Sequence, residues 1–113
     1  MSKDYLAITQ NINQALGTFG KELPEVMAGF TSLSKAATKD GALDKKTKEL
    51  IALAIGVAKQ CDGCIGFHTQ ALARLGATQA EVMETLGMAV YMGGGPALMY
   101  AAEALQAFEQ ATK

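Results

Sequence analysis

The sequence predicts an all-α, six-helix protein, and three observations carry that prediction. Strong helix formers (Ala, Leu, Met, Glu, Gln and Lys) dominate the chain. The alternating Val, Ile, Thr and aromatic runs that mark strands are missing. Helix start and stop residues punctuate the chain: Pro24, Asp44, Gly76, Thr78 and Pro96.

The first helix is expected over Asp4 to Leu16, ending near Gly17. The second covers Leu23 to Ala37, because Pro24 suits a first turn. Val26, Met27, Phe30 and Leu33 recur at helical spacing and read as its inward stripe. Thr38 to Ala42, with Asp40-Gly41, reads as a loop. Asp44 is a good N-cap for a third helix running to Lys59, with Leu50, Leu53, Ala54 and Val57 as its apolar stripe. The Cys61-Asp62-Gly63-Cys64 stretch opens the fourth helix, which closes at Gly76. Thr78-Gln79-Ala80-Glu81 is a capping box that starts the fifth, reaching Met92. Gly93-Gly94-Gly95 breaks the chain, and Pro96 opens a sixth helix to Thr112.

One domain over residues 1–113 fits this length. Half of the chain is apolar, more than so small a body can bury in one copy, so a homo-oligomer is expected. Net charge is near zero and the Lys and Arg residues are scattered, which excludes the basic face that nucleic acid or an anionic membrane surface requires. No apolar run is long enough to span a bilayer, and the Met1-Ser2-Lys3-Asp4-Tyr5 start is polar rather than a targeting segment. A cytoplasmic location follows as the expectation. In a reducing cytosol two close cysteines are more often catalytic or metal-binding than a structural staple.

Both cysteines and the only histidine fall within eight residues, Cys61 to His68. A C-x-x-C pair can cycle between dithiol and disulfide. His68 lies four residues after Cys64, on the same helical face, close enough to exchange a proton with it. At a helix start, free backbone N–H groups and the helix dipole favour a thiolate. Gly63 removes bulk between the sulfurs, and Asp62 is a candidate helix cap. Zinc is a weaker reading: two Cys and one His supply three ligands where structural zinc takes four. Small cysteines that only pack are a third reading, which the pairing with histidine disfavours. A thioredoxin-like fold is disfavoured because no strand precedes the motif.

Glu49 is an acid beside the apolar stripe of the third helix. Spacing alone favours a solvated carboxylate paired with Lys45 or Lys46. Twelve residues of straight helix place it ~18 Å from Cys61. If the fourth helix folds back on the third, His68 returns toward Glu49, so that Glu49 reaches His68 more easily than Cys61.

Glu49 within Glu49-Leu50-Ile51-Ala52-Leu53-Ala54, then Cys61-Asp62-Gly63-Cys64 and Cys64-Ile65-Gly66-Phe67-His68, resembles the carboxymuconolactone decarboxylase family. More narrowly it resembles the alkyl hydroperoxidase D-like branch, over Leu43 to Ala107 with the Gly93-Gly94-Gly95-Pro96 break included. The E-x(11)-C-x-x-C-x(3)-H spacing carries the resemblance. It implies an all-α fold, assembly into trimers or hexamers, and thiol-dependent peroxide reduction. It also implies roles: Cys64 attacks peroxide, Cys61 resolves, His68 relays the proton and Glu49 orients His68. Where alkyl hydroperoxidase D carries a histidine before its second cysteine, this chain has Gly63.

The reading that follows is a dithiol peroxidase or disulfide reductase that takes a hydroperoxide substrate and an external dithiol reductant and needs no bound cofactor or metal. The rivals are a lactone decarboxylase-like enzyme with incidental cysteines, which the C-x-x-C argues against, and a non-enzymatic redox-sensing module. The triple glycine lacks the Gly-Lys-Ser/Thr of a phosphate loop and reads as a tight helix connection. Met83, Met88, Met92 and Met99, with Tyr91 and Tyr100, read as core or interface before pocket lining.

Overall fold

In the computed structural model, which describes residues 3–113, six helices follow one another with no strand among the described residues. Met1 and Ser2 of the polar N-terminus lie outside the described residues. Asp4 caps α1 (Tyr5–Glu22), its carboxylate accepting from the Leu6 and Ala7 N–H groups. The helix does not stop at Gly17. It passes through Gly17 and Gly20 and ends at Leu23, the residue before Pro24. A helical glycine costs only about 1 kcal/mol, whereas the residue preceding a proline is pushed out of the helical region.

Pro24 opens α2 (Pro24–Thr38), as expected from its fixed φ. The expected inward stripe is not inward. Val26, Phe30 and Leu33 are about two-thirds exposed, Met27 is half-buried, and no residue of α2 is buried. The periodicity is real, but α2 leans on α1 and only brushes α3, so its apolar face meets nothing within this chain.

The remaining helices build the core. Asp44 caps α3 (Lys45–Ala58) through the Thr47 N–H at 2.7 Å. Then come α4 (Asp62–Arg74), α5 (Gln79–Gly93) with the Thr78–Glu81 capping box formed in both directions, and α6 (Gly95–Ala111). Leu53 and Val57 of α3, Ile65 and Leu72 of α4 and Val82 of α5 are fully buried. Each contributes about 1.5–3 kcal/mol by leaving water. Opposite them α6 presents Ala97, Ala101, Ala104 and Ala107, small residues that let it lie close against its neighbours. Tyr5 and Thr9 of α1 also enter this interior.

Met83, Met88, Met92 and Met99 and Tyr91 are not core residues: all five are exposed on α5 and α6. Tyr100 is half-buried. No helix among the described residues is long and apolar enough to cross a membrane.

Candidate redox site

The site forms where α3 turns back into α4. The Gln60 N–H donates to the Val57 carbonyl and the Cys61 N–H to the Gly56 carbonyl, both at 3.0 Å. That is a Schellman ending, with Gln60 in the left-handed position at φ 57° that glycine usually fills. The turn reverses the chain within three residues, so α4 runs back along α3.

Cys61 is then the N-cap of α4, and its sulfur accepts the Cys64 N–H at 3.1 Å. The expected cap, Asp62, sits one residue later and points to Lys3 instead. Cys61 holds this position because its extended backbone, φ −106° and ψ 101°, aims the side chain at the first free N–H groups. Cys61 and Cys64 are joined as a disulfide, with Cα atoms 5.2 Å apart. Both residues are half-buried and so within reach of a small molecule.

Two glycines let the elements close around the pair. A Cβ on Gly56 would lie 2.8 Å from the Cys64 Cβ, so only glycine allows α3 to approach the sulfur-bearing turn this closely. A Cβ on Gly63 would lie 2.8 Å from Ile12 Cδ1 of α1. Ile12 therefore fills the space that a side chain between the cysteines would take.

Glu49 is buried on α3, and its Oε2 lies 2.6 Å from His68 Nδ1 on α4. A buried carboxylate requires such a partner. The ion pairs with Lys45 or Lys46 that spacing allowed do not form, and Lys46 pairs with Glu81 across to α5 at 2.7 Å. With Nδ1–H donating to the carboxylate, the free lone pair of the imidazole is on Nε2. The His68 side chain is about one-third exposed, and it shares a helical face with Cys64. The fold-back of α4 on α3 thus brings Glu49 directly to His68. Phe67, next to His68, is half-buried.

The structure brings the candidates together as two pairs, Cys61 with Cys64 at the start of α4 and Glu49 with His68, which lies one helical turn beyond Cys64. Such a group can hold a thiolate, move a proton between sulfur and imidazole, and open or close a disulfide. Gly56 and Lys3 were not among the candidates. Gly56 did carry a signal, a lone glycine inside an apolar helix stripe, which marks a close approach. Lys3 carried none, since its partner Asp62 is 59 residues away.

The chain thus combines an all-α fold, a disulfide-bonded C-x-x-C pair at a helix start and a buried carboxylate–histidine pair on the same helix's flank. The carboxymuconolactone decarboxylase family model matches residues 24–107, leaving α1 ahead of the match. An uncharacterized protein of Cupriavidus necator is 42% identical over 96% of both chains. The apo form of a carboxymuconolactone decarboxylase family protein from Legionella pneumophila superposes with a TM-score of 0.95 at 68% identity, covering 96% of this chain and 97% of that one. A Thermotoga maritima member, whose proposed involvement is in an antioxidative response, superposes with a TM-score of 0.80 at 27% identity, covering 90% of this chain and 87% of that one. The chain belongs to the carboxymuconolactone decarboxylase family.

Proposed function

We propose that the chain is a thiol-dependent peroxidase of the alkyl hydroperoxidase D-like kind, cycling through the Cys61–Cys64 pair. The observation that carries the reading is the 2.6 Å contact between Glu49 and His68 Nδ1, on the helix whose first turn holds both sulfurs. A structural cysteine pair has no use for a buried carboxylate that orients the neighbouring imidazole. The antioxidative response proposed for the Thermotoga relative adds support from outside this chain.

In the reduced enzyme His68 Nε2 takes the Cys64 thiol proton. The Cys64 thiolate attacks one oxygen of the hydroperoxide, the O–O bond breaks, and the departing alkoxide takes the proton from His68. Cys64 is then a sulfenic acid and the peroxide has become an alcohol. The Cys61 sulfur displaces the sulfenic oxygen, releasing water and forming the Cys61–Cys64 disulfide. An external dithiol reduces that disulfide by thiol exchange and leaves oxidised. By the resemblance Cys64 is the attacking sulfur, and its place one helical turn before His68 gives it a base.

Steady-state consumption of an organic hydroperoxide with a dithiol tests the reading. Cys64→Ser should abolish turnover. Cys61→Ser should still form one sulfenic acid per chain, trapped by a sulfenic-acid probe. Turnover that survives the double Cys→Ser substitution would defeat the proposal in favour of a chemistry that does not use sulfur.

A further inference from the structure

The chain start is tied to the turn that holds the cysteines. Lys3 Nζ lies 3.1 Å from Asp62 Oδ2 and 3.3 Å from Oδ1, and 2.8 Å from Glu103 Oε1 on α6. The buried Tyr5 donates its hydroxyl to the same Glu103 oxygen at 2.5 Å. Gln110 clamps the backbone, accepting from the Tyr5 N–H at 2.9 Å and donating to the Lys3 carbonyl at 3.0 Å. The Lys3 ammonium also sits 5.4 Å from the centre of the Tyr100 ring. The lysine tip is thereby fixed beside Asp62. Its hydrogen bond to Glu103 raises its pKa above the ordinary lysine value, so it is charged at neutral pH. Burial works against the Glu103 carboxylate, but hydrogen bonds from Lys3 and Tyr5 outweigh it and hold its pKa low.

Asp62 stands between the two cysteines in sequence. Once the disulfide is reduced, a carboxylate there disfavours a thiolate on either neighbour, since like charges at short range oppose each other. Other ionisable groups around the turn are Lys59, the exposed C-cap of α3 two residues before Cys61, Tyr5, Tyr100 and Glu103 on the Lys3 side, and His68 with Glu49 on the α3 side. Among them Lys3 is the cation in direct contact with Asp62.

We propose that Lys3 is a positioning residue of the cysteine pair: by pairing with Asp62 it offsets the carboxylate inside the C-x-x-C turn and so favours the thiolate of the reduced pair. The proposal rests on the redox reading of the pair, and on no particular oxidant. It also gives the segment ahead of the family match a part in the site. Both side chains are about one-third exposed, so the effect is modest and sensitive to salt.

The test is the pH profile of iodoacetamide alkylation of the reduced protein, in the wild type and in Lys3→Met, Lys3→Arg, Asp62→Asn and the Lys3→Met/Asp62→Asn double variant. Lys3→Met should raise the apparent thiol pKa by about half a unit to one unit, the size of one charge acting over a few ångströms near a surface. Lys3→Arg should hold the wild-type profile. Asp62→Asn should lower the thiol pKa, an arm that does not depend on how Lys3→Met folds. The double variant should return to the wild-type profile or below it. The Lys3→Met shift should shrink in about 1 M salt, where screening acts within about 3 Å. An unchanged profile in Lys3→Met, a shift that persists without Asp62, or a rise in Asp62→Asn overturns the proposal. Peroxide turnover is read separately. The expected shifts in a protein without turnover uphold the role of Lys3 and remove the peroxidase reading. Turnover without the shifts does the reverse.

Discussion

At the scale of single residues, the site turns on what a buried carboxylate does to an imidazole. Glu49 Oε2 accepts from His68 Nδ1, which fixes the ring tautomer and leaves the Nε2 lone pair free to accept a proton. Glu49→Gln keeps the shape and loses the charge. It should reduce peroxide turnover about tenfold or more, within the range that general-base effects cover, while the far-ultraviolet dichroism stays unchanged. His68→Ala removes the group on which Glu49 acts, so the two defects should not multiply in the double variant. Full activity in Glu49→Gln, or simple multiplication of the two defects, would reduce Glu49 to a packing acid. The cysteines and His68 were legible in the sequence because their spacing is local and helical. Glu49 was only half legible. Its neighbour spacing pointed equally to Lys45 and Lys46, and the choice of His68 depends on how α4 folds back, which is a tertiary fact.

At the scale of elements, the α3–α4 contact sets the site's dimensions, and Gly56 sets the contact. A methyl group there would press on the Cys64 Cβ at 2.8 Å, an atom next to the backbone that cannot swing away. Gly56→Ala should therefore destabilise the fold by about 1–3 kcal/mol, as overpacking does, although alanine is the better helix former. It should also spread α3 from α4 and weaken the Glu49–His68 contact, so that Glu49→Gln costs less turnover in that background. Gly17→Ala is the control, because nothing lies within 4 Å of its added methyl. It should stabilise by up to about 1 kcal/mol. Equal effects at the two sites, read by urea unfolding, would show that helix propensity rather than close approach governs Gly56. The caps at Asp44 and Thr78 and the proline start of α2 were legible because each rests on local chemistry, whereas α6 begins one residue before Pro96, with Gly93 and Gly95 helical and Gly94 alone forming the break. The end of α1 was not, because Gly17 weakens a helix without ending it, and Pro24 does the ending. The left-handed turn at Gln60 was also hidden, since glutamine carries no signal for that conformation.

At the scale of the molecule, the apolar half of the chain is only partly accounted for. Leu23, Val26, Phe30 and Leu33 are exposed along α2, and Phe19 sits exposed near the end of α1. On other faces Ile51 and Ile55 of α3, Met88, Tyr91 and Met92 of α5, and Leu98 and Met99 of α6 are exposed too. An apolar groove of about 440 Å³ runs between α5 and α6, lined by Met83, Leu86, Val90, Leu98 and Leu105 among others. A monomer in water rarely exposes so many large apolar side chains along one helix face, and a helix with no fully buried residue gains little stability from packing. The stripe on α2 was read in the sequence as facing a core. Its periodicity does specify a buried face, but not whether the cover comes from the same chain. We expect that cover to come from further copies, giving a closed homo-oligomer, a trimer or a hexamer. Light scattering at micromolar concentration should report a multiple of the 11.8 kDa chain mass. Phe30→Glu, which places a charge at the centre of the α2 face, should lower that multiple, whereas Gln106→Glu on exposed α6 surface should not. If α2 is held only by assembly, Phe30→Glu should also expose it to proteolysis near Leu23 while α3 to α6 stay protected. A wild-type mass of one chain, with α2 as resistant as α4, would mean that the apolar face stands free in solution and that its periodicity answers to something other than assembly.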